Sequence, residues 1–132
     1  MKILLLSEFF LSGQTTHVLD LAEQLQRMGH GVHIRFTRVN SPLFHTDYAP
    51  RLKSRGIPFS TGIGGTFLSY LVRTWGPDII HAHSSTQFAL ANRLAQRLKV
   101  PAILTCHGVG FSHPRFRKEL LAAAHVIAVG AK

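Results

Sequence analysis

The sequence predicts an α/β fold: a Rossmann-like, doubly wound parallel sheet of about six strands with helices on both faces. Three observations carry this. Short continuous apolar runs, such as Ile3-Leu4-Leu5-Leu6 and Ile79-Ile80, mark strands buried on both faces, as in parallel sheets. Between them lie segments whose apolar residues recur at helical spacing. The two kinds alternate along the chain, which is the order of βαβ units with right-handed crossovers. The 132 residues suit one domain with its own core.

Each element has a local reason. Ile3 to Leu6 is the first strand; Met1 to Leu11 imitates a signal peptide, but Ser7 and Glu8 interrupt it and no small-residue cleavage site follows. Ser12 and Gly13 make a turn. A helix from Gln14 to Met28 carries the stripe Val18, Leu21, Ala22, Leu25 and Met28, and Gly29-His30-Gly31 stops it. Val32 to Val39 alternates as a strand, with Val32, Ile34 and Phe36 opposite His33, Arg35 and Thr37. Asn40 to Pro50, with two prolines, is expected as a loop. Arg51 to Arg55 gives a helical turn ended by Gly56, and Ile57-Pro58-Phe59 a weak edge strand.

Gly62 to Gly65 is a loop and Thr66 to Trp75 a helix, broken by Gly76-Pro77. Asp78 to Ala82 is a strand. Thr86 to Leu98 is a helix with Ala91, Leu94, Ala95 and Leu98 inward and Asn92, Arg93, Gln96 and Arg97 outward. Pro101 to Thr105 is a strand. Arg115 to Ala124 is a helix, with Pro114 suited to its first turn. Val126 to Val129 is the last strand. A doubly wound fold continues with a helix at this point, so the chain reads as a piece of a longer protein.

Composition narrows the partners. A hydrophobic content of 45% argues against disorder. The single Cys106 excludes an internal disulfide and fits a reducing compartment. No run reaches the roughly 18–20 apolar residues of a membrane span. Fifteen Lys and Arg against six Asp and Glu leave a net charge of +9. Such an excess attracts nucleic acid, acidic headgroups or phosphorylated substrates, and composition does not choose among them.

In open parallel sheets, ligands bind at the carboxyl ends of the strands, near the switch in strand order. Four loops there are candidates. In Leu11-Ser12-Gly13-Gln14-Thr15-Thr16-His17, the glycine at a helix start either admits a phosphate to backbone N–H groups or only makes a tight turn; the segment is neither a Walker loop nor a full GxGxxG. In Asp78-Ile79-Ile80-His81-Ala82-His83-Ser84-Ser85, the two imidazoles are two apart and share a strand face. They could hold a metal, joined by His107 and His113, or His81 is partly buried and hydrogen-bonded while His83 lines a polar cleft. In Thr105-Cys106-His107-Gly108-Val109-Gly110, His107 ends a strand where a side chain can meet a ligand. Cys106 points the other way, as an ordinary buried thiol. Gly62-Ile63-Gly64-Gly65-Thr66 either cradles phosphate or forms a mobile loop and helix start.

Two basic clusters remain. Arg93 and Arg97 share a helix face with Lys99 behind them. Arg115, Arg117 and Lys118 fall in a helix's first turn, where the dipole disfavours cations by roughly 0.3–1 kcal/mol. Each cluster is either a solvated face or the dock of an anionic partner.

Taken in order, these segments resemble the N-terminal domain of group 1 glycosyltransferases, which are retaining and of the GT-B fold. Ser12-Gly13-Gln14-Thr15-Thr16-His17-Val18, Leu21-Ala22 and Gly29-His30-Gly31-Val32 are similar to the family's opening Gly-Gly, His-Val, Leu-Ala and Gly-His-x-Val. Pro77-Asp78-Ile79-Ile80-His81-Ala82-His83 is similar to Pro-Asp-Val-Val-His-x-His, and Pro101 to Thr105 with His107-Gly108 to Pro-x-x-x-Thr-x-His-Gly. Ala123 to Val129 is similar to Ala-Asp-x-Val-Ile-Ala-Val. Ser12 stands in place of the first glycine, His125 in place of the aspartate, and Gly130 in place of a serine.

The resemblance implies roles. Gly13 and Gln14 would meet the donor diphosphate. His107 would be catalytic, binding the transferred sugar and stabilising charge at the reacting centre. His17, His83, Ser84 and Gly108 would line the acceptor side of the cleft. The co-substrate would be a nucleotide-sugar, with no other cofactor and no metal required for the chemistry. The acceptor would be a sugar or a lipid-linked sugar, with no nucleic acid as partner. The location would be cytoplasmic, or peripheral at the inner face of a membrane. Residues 1–132 would be the acceptor-side domain only; the nucleotide-holding domain would be absent, leaving the chain alone inactive. Two other classes stay open beside it: a basic, non-catalytic module for anionic membrane or polyanion, and a metallohydrolase built on His81, His83 and His107.

Overall fold

The computed structural model describes residues 1–62, 65–107 and 114–129. Six strands form one parallel sheet: β1 (Lys2–Phe9), β2 (Gly31–Val39), β3 (Phe59–Thr61), β4 (Ile79–Ala82), β5 (Ala102–His107) and β6 (His125–Val129). Their spatial order is β3-β2-β1-β4-β5-β6. Five helices connect them: α1 (Gly13–Arg27), α2 (Ala49–Ser54), α3 (Gly65–Trp75), α4 (Phe88–Leu98) and α5 (Arg117–Ala122). This is the doubly wound order with its switch between β1 and β4, as the alternation of apolar runs and helical stripes predicts.

The alternation of side chains along β1 divides the core in two. Ile3, Leu5 and Phe9 pack with Val18, Leu19 and Ala22 of α1, Val32, Ile34 and Phe36 of β2, and Leu52 of α2. Leu4 and Leu6 face the other way, onto Val72, Ile80, Ala82, Phe88, Ala91, Leu94, Leu104 and Cys106. Helices therefore cover both faces, and burying each large side chain contributes about 1.5–3 kcal/mol. Cys106 lies inside, where burial pushes its thiol pKa up.

Several expectations are corrected by packing. The segment Asn40 to Pro50 is not simply a loop: Phe44–Tyr48 forms a wide helical turn, closed by Ala49 N–H donating to Phe44 O, and α2 begins at Ala49. The reason is apolar. Phe44 is buried edge-on against Phe9, Phe36 and Phe59, with ring centroids 5.0, 5.2 and 5.7 Å away. Met28 is not part of the α1 stripe; it is 70% exposed, because α1 ends at Arg27 and Gly29 turns at φ +90°. Leu19 takes an inward place instead.

Arg35 was expected opposite the core face, and it is buried as well, since β2 is covered on both sides. Asn92 does not face solvent: it is 4% exposed and donates to the backbone oxygen and Oε2 of Glu119 on α5, at 2.9 and 2.8 Å. Thr86 lies in a 3-10 turn (Ser85–Gln87) ahead of α4. The last helix is shorter than predicted, with a 3-10 turn at Pro114–Phe116, so Arg115 precedes α5. β6 is an edge strand, and its Val126 and Ile127 are exposed.

Candidate functional site at the strand switch

β1 and β4 are neighbours, and their chains leave toward helices on opposite faces of the sheet. The carboxyl ends of β1, β4 and β5 lie side by side at this switch, the place where open parallel sheets bind ligands. Four segments meet there: the start of α1, the residues after β4, the end of β5 and the end of β1.

α1 starts without a side-chain cap. Ser12 occupies the cap position in extended backbone, its side chain makes no capping bond, and its Oγ is buried without a partner among the described residues. The first turn contains no acidic residue. Uncapped N–H groups at a helix start carry the positive end of the dipole. Gly13 has no positive φ, and a Cβ added to it would meet nothing within 4 Å. So neither a left-handed backbone nor a tight contact requires glycine here. What the missing side chain leaves is open space over the helix start.

Gln14 is held inward: its amide Nε2 donates to Ser84 Oγ and, at 3.3 Å, to Ser7 Oγ. Ser84 Oγ in turn accepts the backbone N–H of Glu8 at 3.0 Å. Ser7, Gln14 and Ser84 thus tie β1, α1 and β4 together. Glu8 Oε1 accepts from Thr86 Oγ1 at 2.9 Å on the outer side of the same junction.

His17 lies one helical turn after Gly13, on the same face of α1. Its ring is 5.6 Å from that of His83 and 5.2 Å from that of His107, centroid to centroid. His83 and His107 are 5.7 Å apart, with His107 Nε2 3.5 Å from His83 Nδ1. One ligand atom from each of the three lies within 4.8 Å of the others. His83 does not simply line the cleft as expected. It is 1% exposed and forms the floor of the cluster, and its Nε2 is buried without a partner among the described residues.

His81 is buried and hydrogen-bonded, its Nε2 2.6 Å from Thr105 Oγ1, while its ring stacks 4.0 Å from His83. The three imidazoles whose ligand atoms cluster are His17, His83 and His107, rather than His81, His83 and His107; His81 Nε2 is engaged with Thr105. Gly108 and His113, and the centre of the Gly62-to-Gly65 loop, lie outside the described residues.

The electrostatics favour neutral imidazoles. Desolvation first, then the charges of His17 and His107, pushes His81 down to about 4. Burial holds His83 well below the ordinary histidine value, with His81, His17 and His107 adding to it. Burial and His17 also lower His107. A neutral imidazole carries one N–H donor and one lone pair, so this floor can hydrogen-bond hydroxyl groups or ligate an ion.

Sequence reasoning missed Ser7 and Thr105. A signal existed: each is a polar residue within a strand otherwise filled with apolar side chains, near its carboxyl end, and buried polar groups need partners.

The chain matches the family model described as Glycosyltransferase Family 4 over residues 11–132. No curated protein matches it. Among solved structures, it is similar to a glycosyltransferase from Rickettsia africae (21% identity, TM-score 0.71), covering 97% of this chain and 36% of that one. It is also similar to Anabaena HepE in complex with UDP and glucose (15%, 0.68), covering 96% and 37%, and to Acinetobacter baumannii MurG (16%, 0.65), covering 96% and 40%. The chain thus spans well under half the length of these structures, and at such identities the likeness is one of fold. With the family match over nearly its whole length and the fold of one GT-B half, the chain belongs to Glycosyltransferase Family 4.

Proposed function

We propose that this chain is the N-terminal, acceptor-side half of an enzyme that transfers a sugar from a nucleotide-sugar to an acceptor with retention. The observation that carries the reading is the convergence of the uncapped α1 start at Gly13 and Gln14 with His83, Ser84 and His107 at the strand switch. Breaking a glycosidic phosphate bond develops negative charge on the leaving diphosphate and positive charge on the sugar, and both need preorganised partners. The α1 N-terminus suits the diphosphate. His107, at the tip of β5 and held neutral, suits a sugar hydroxyl, and His17, His83 and Ser84 would shape the acceptor side. The donor class is supported by HepE, solved with UDP and UDP-glucose, and by VinC, solved with dTDP.

This half supplies few partners for either charge, so a second domain would provide the nucleotide site and the remaining phosphate contacts, and the chain alone would not turn over. The test joins the chain to the downstream α/β domain and measures transfer from a panel of labelled nucleotide-sugars. Activity is expected only in the joined protein, with the anomeric configuration retained, and His107→Ala is expected to lower kcat by at least about a hundredfold. Turnover by the 132-residue chain, or an unaffected His107→Ala enzyme, would refute the reading.

A second feature bears on the acceptor. Asn92 and Glu119 clip α5 to α4, which brings Lys118 into the groove lined by Arg93 and Gln96. Arg97 and Lys99 continue this exposed basic side. It suits peripheral contact with an anionic membrane carrying a lipid-linked acceptor. No helix among the described residues is long and apolar enough to cross a membrane. Sedimentation with vesicles containing anionic lipid should pull the chain down at low salt and release it at high salt; binding that ignores salt would exclude this contact.

A further inference from the structure

We propose that His17, His83 and His107 form a binding site for one divalent transition-metal ion of the zinc type, with three imidazole nitrogens as ligands and the fourth position open. These are the histidines that the transferase reading sets against the sugar and the acceptor, so a bound ion would occupy that part of the site. The cobalt titration below reads metal binding alone and stands or falls apart from sugar transfer.

The first argument is geometric. Zinc takes imidazole nitrogen at about 2.0–2.1 Å in a tetrahedron, which sets the nitrogens about 3.3 Å apart and the ring centres about 5 Å apart. The three rings here are 5.2, 5.6 and 5.7 Å apart, centroid to centroid. One nitrogen pair, His83 Nδ1 and His107 Nε2, is 3.5 Å apart, and all three ligand atoms lie within 4.8 Å. His17, only partly buried on the second turn of α1, is the one of the three least confined by the described residues.

The second argument concerns His83. It is 1% exposed, yet its Nε2 has no partner among the described residues. Buried imidazoles are normally satisfied, and His81 beside it is, through Thr105. The orphaned Nε2 is not the nitrogen that faces His107. That one, Nδ1, meets the His107 imidazole at 3.5 Å, the outer limit of a hydrogen bond, so the ligand nitrogen of this buried ring has no close partner among the described residues.

The donor set then names the ion. Three nitrogens and no carboxylate suit zinc, cobalt, nickel or copper, whereas magnesium, calcium and manganese favour oxygen ligands. The three ligands come from α1, the residue after β4 and the end of β5, so the ion would cross-link both sides of the strand switch. The open position takes water or an anionic oxygen.

The test is a cobalt(II) titration of the chelator-treated chain, followed by visible absorption. One equivalent is expected to bind with the intense bands of four-coordinate cobalt, and zinc is expected to displace it. His83→Ala should abolish the bands. His17→Gln, a change at a partly exposed position that leaves the floor in place, should weaken binding by more than about tenfold. His45→Gln and His125→Gln, at exposed histidines elsewhere, should bind as the parent does. Weak six-coordinate bands, several equivalents without saturation, or unchanged binding by His17→Gln would each overturn the site.

Discussion

Acid should weaken this fold through His33, and the effect can be isolated. His33 lies on β2 with its Nε2 2.9 Å from Ser60 Oγ of β3 and its ring 6.1 Å from that of Trp75. Desolvation, with a smaller contribution from Arg35, pushes its pKa from 6.5 down to about 4. The folded state therefore holds His33 neutral over a range where the unfolded chain binds a proton. Stability is full above about pH 6.5 and is lost as the pH falls toward 4; below that both states are charged and the dependence ends.

At 1.36 kcal/mol per unit, a shift of this size has a ceiling of about 3.4 kcal/mol, of which about 1.8 falls between pH 7 and pH 5. The ring is only partly buried, so solvent screening reduces the expected value to about 1 kcal/mol. Urea unfolding of the parent and of His33→Gln at both pH values is the assay. The glutamine does not titrate, while every other histidine contributes to both proteins. The parent midpoint is expected to fall further than the variant midpoint by roughly 0.7 M, taking a denaturant slope of about 1.5 kcal/mol per M. Equal falls, or a His33 resonance titrating near 6.5 in the folded chain, would refute the reasoning.

Other outcomes follow from single contacts. Phe9→Ala removes the ring that Phe36, Phe44 and Tyr48 pack against, at 5.9, 5.0 and 4.9 Å, and should cost about 3–5 kcal/mol in urea unfolding. Thr105→Val deprives the buried His81 Nε2 of its partner and should cost about 1–3 kcal/mol. Asn92→Ala cuts both bonds to Glu119, so α5 should be cleaved faster by trypsin at Arg117 and Lys118 while the sheet stays protected. Gly13→Ala meets open space and should change stability by less than about 0.5 kcal/mol. In the joined transferase the same change is expected to weaken donor binding, measured by KM.

The architecture was legible because its causes are local. Runs such as Ile3 to Leu6 need no partner to announce burial on two faces, and Gly29, Gly56 and Gly76, all at positive φ, end helices where their sequence position says. The joint placement of Gly13, His83 and His107 at the strand switch follows from the topology once the strand order is known. What stayed hidden depends on pairings across the fold. Asn92 reads as an outward residue on α4 until α5 packs against it. Phe44 reads as part of a proline-flanked loop until the rings of Phe9 and Phe36 give it a place. That His17 rather than His81 joins the cluster with His83 and His107 depends on where α1 packs against the sheet, which no local pattern records. Such partners are set by register, and a single strand does not contain its register.

The bond from the Glu8 amide to Ser84 makes that amide a resident probe. Most N–H groups of β1 are locked into the ladder with β2 and β4, but this one is held by a side chain of the strand switch, where the β1–β2 pairing shifts register. Its deuterium exchange would report how firmly the two sides of the sheet are joined at the switch, rather than how stable the sheet is. Any molecule that settles on Gln14 or Ser84 would slow that exchange at Glu8, well before it altered the unfolding of the domain.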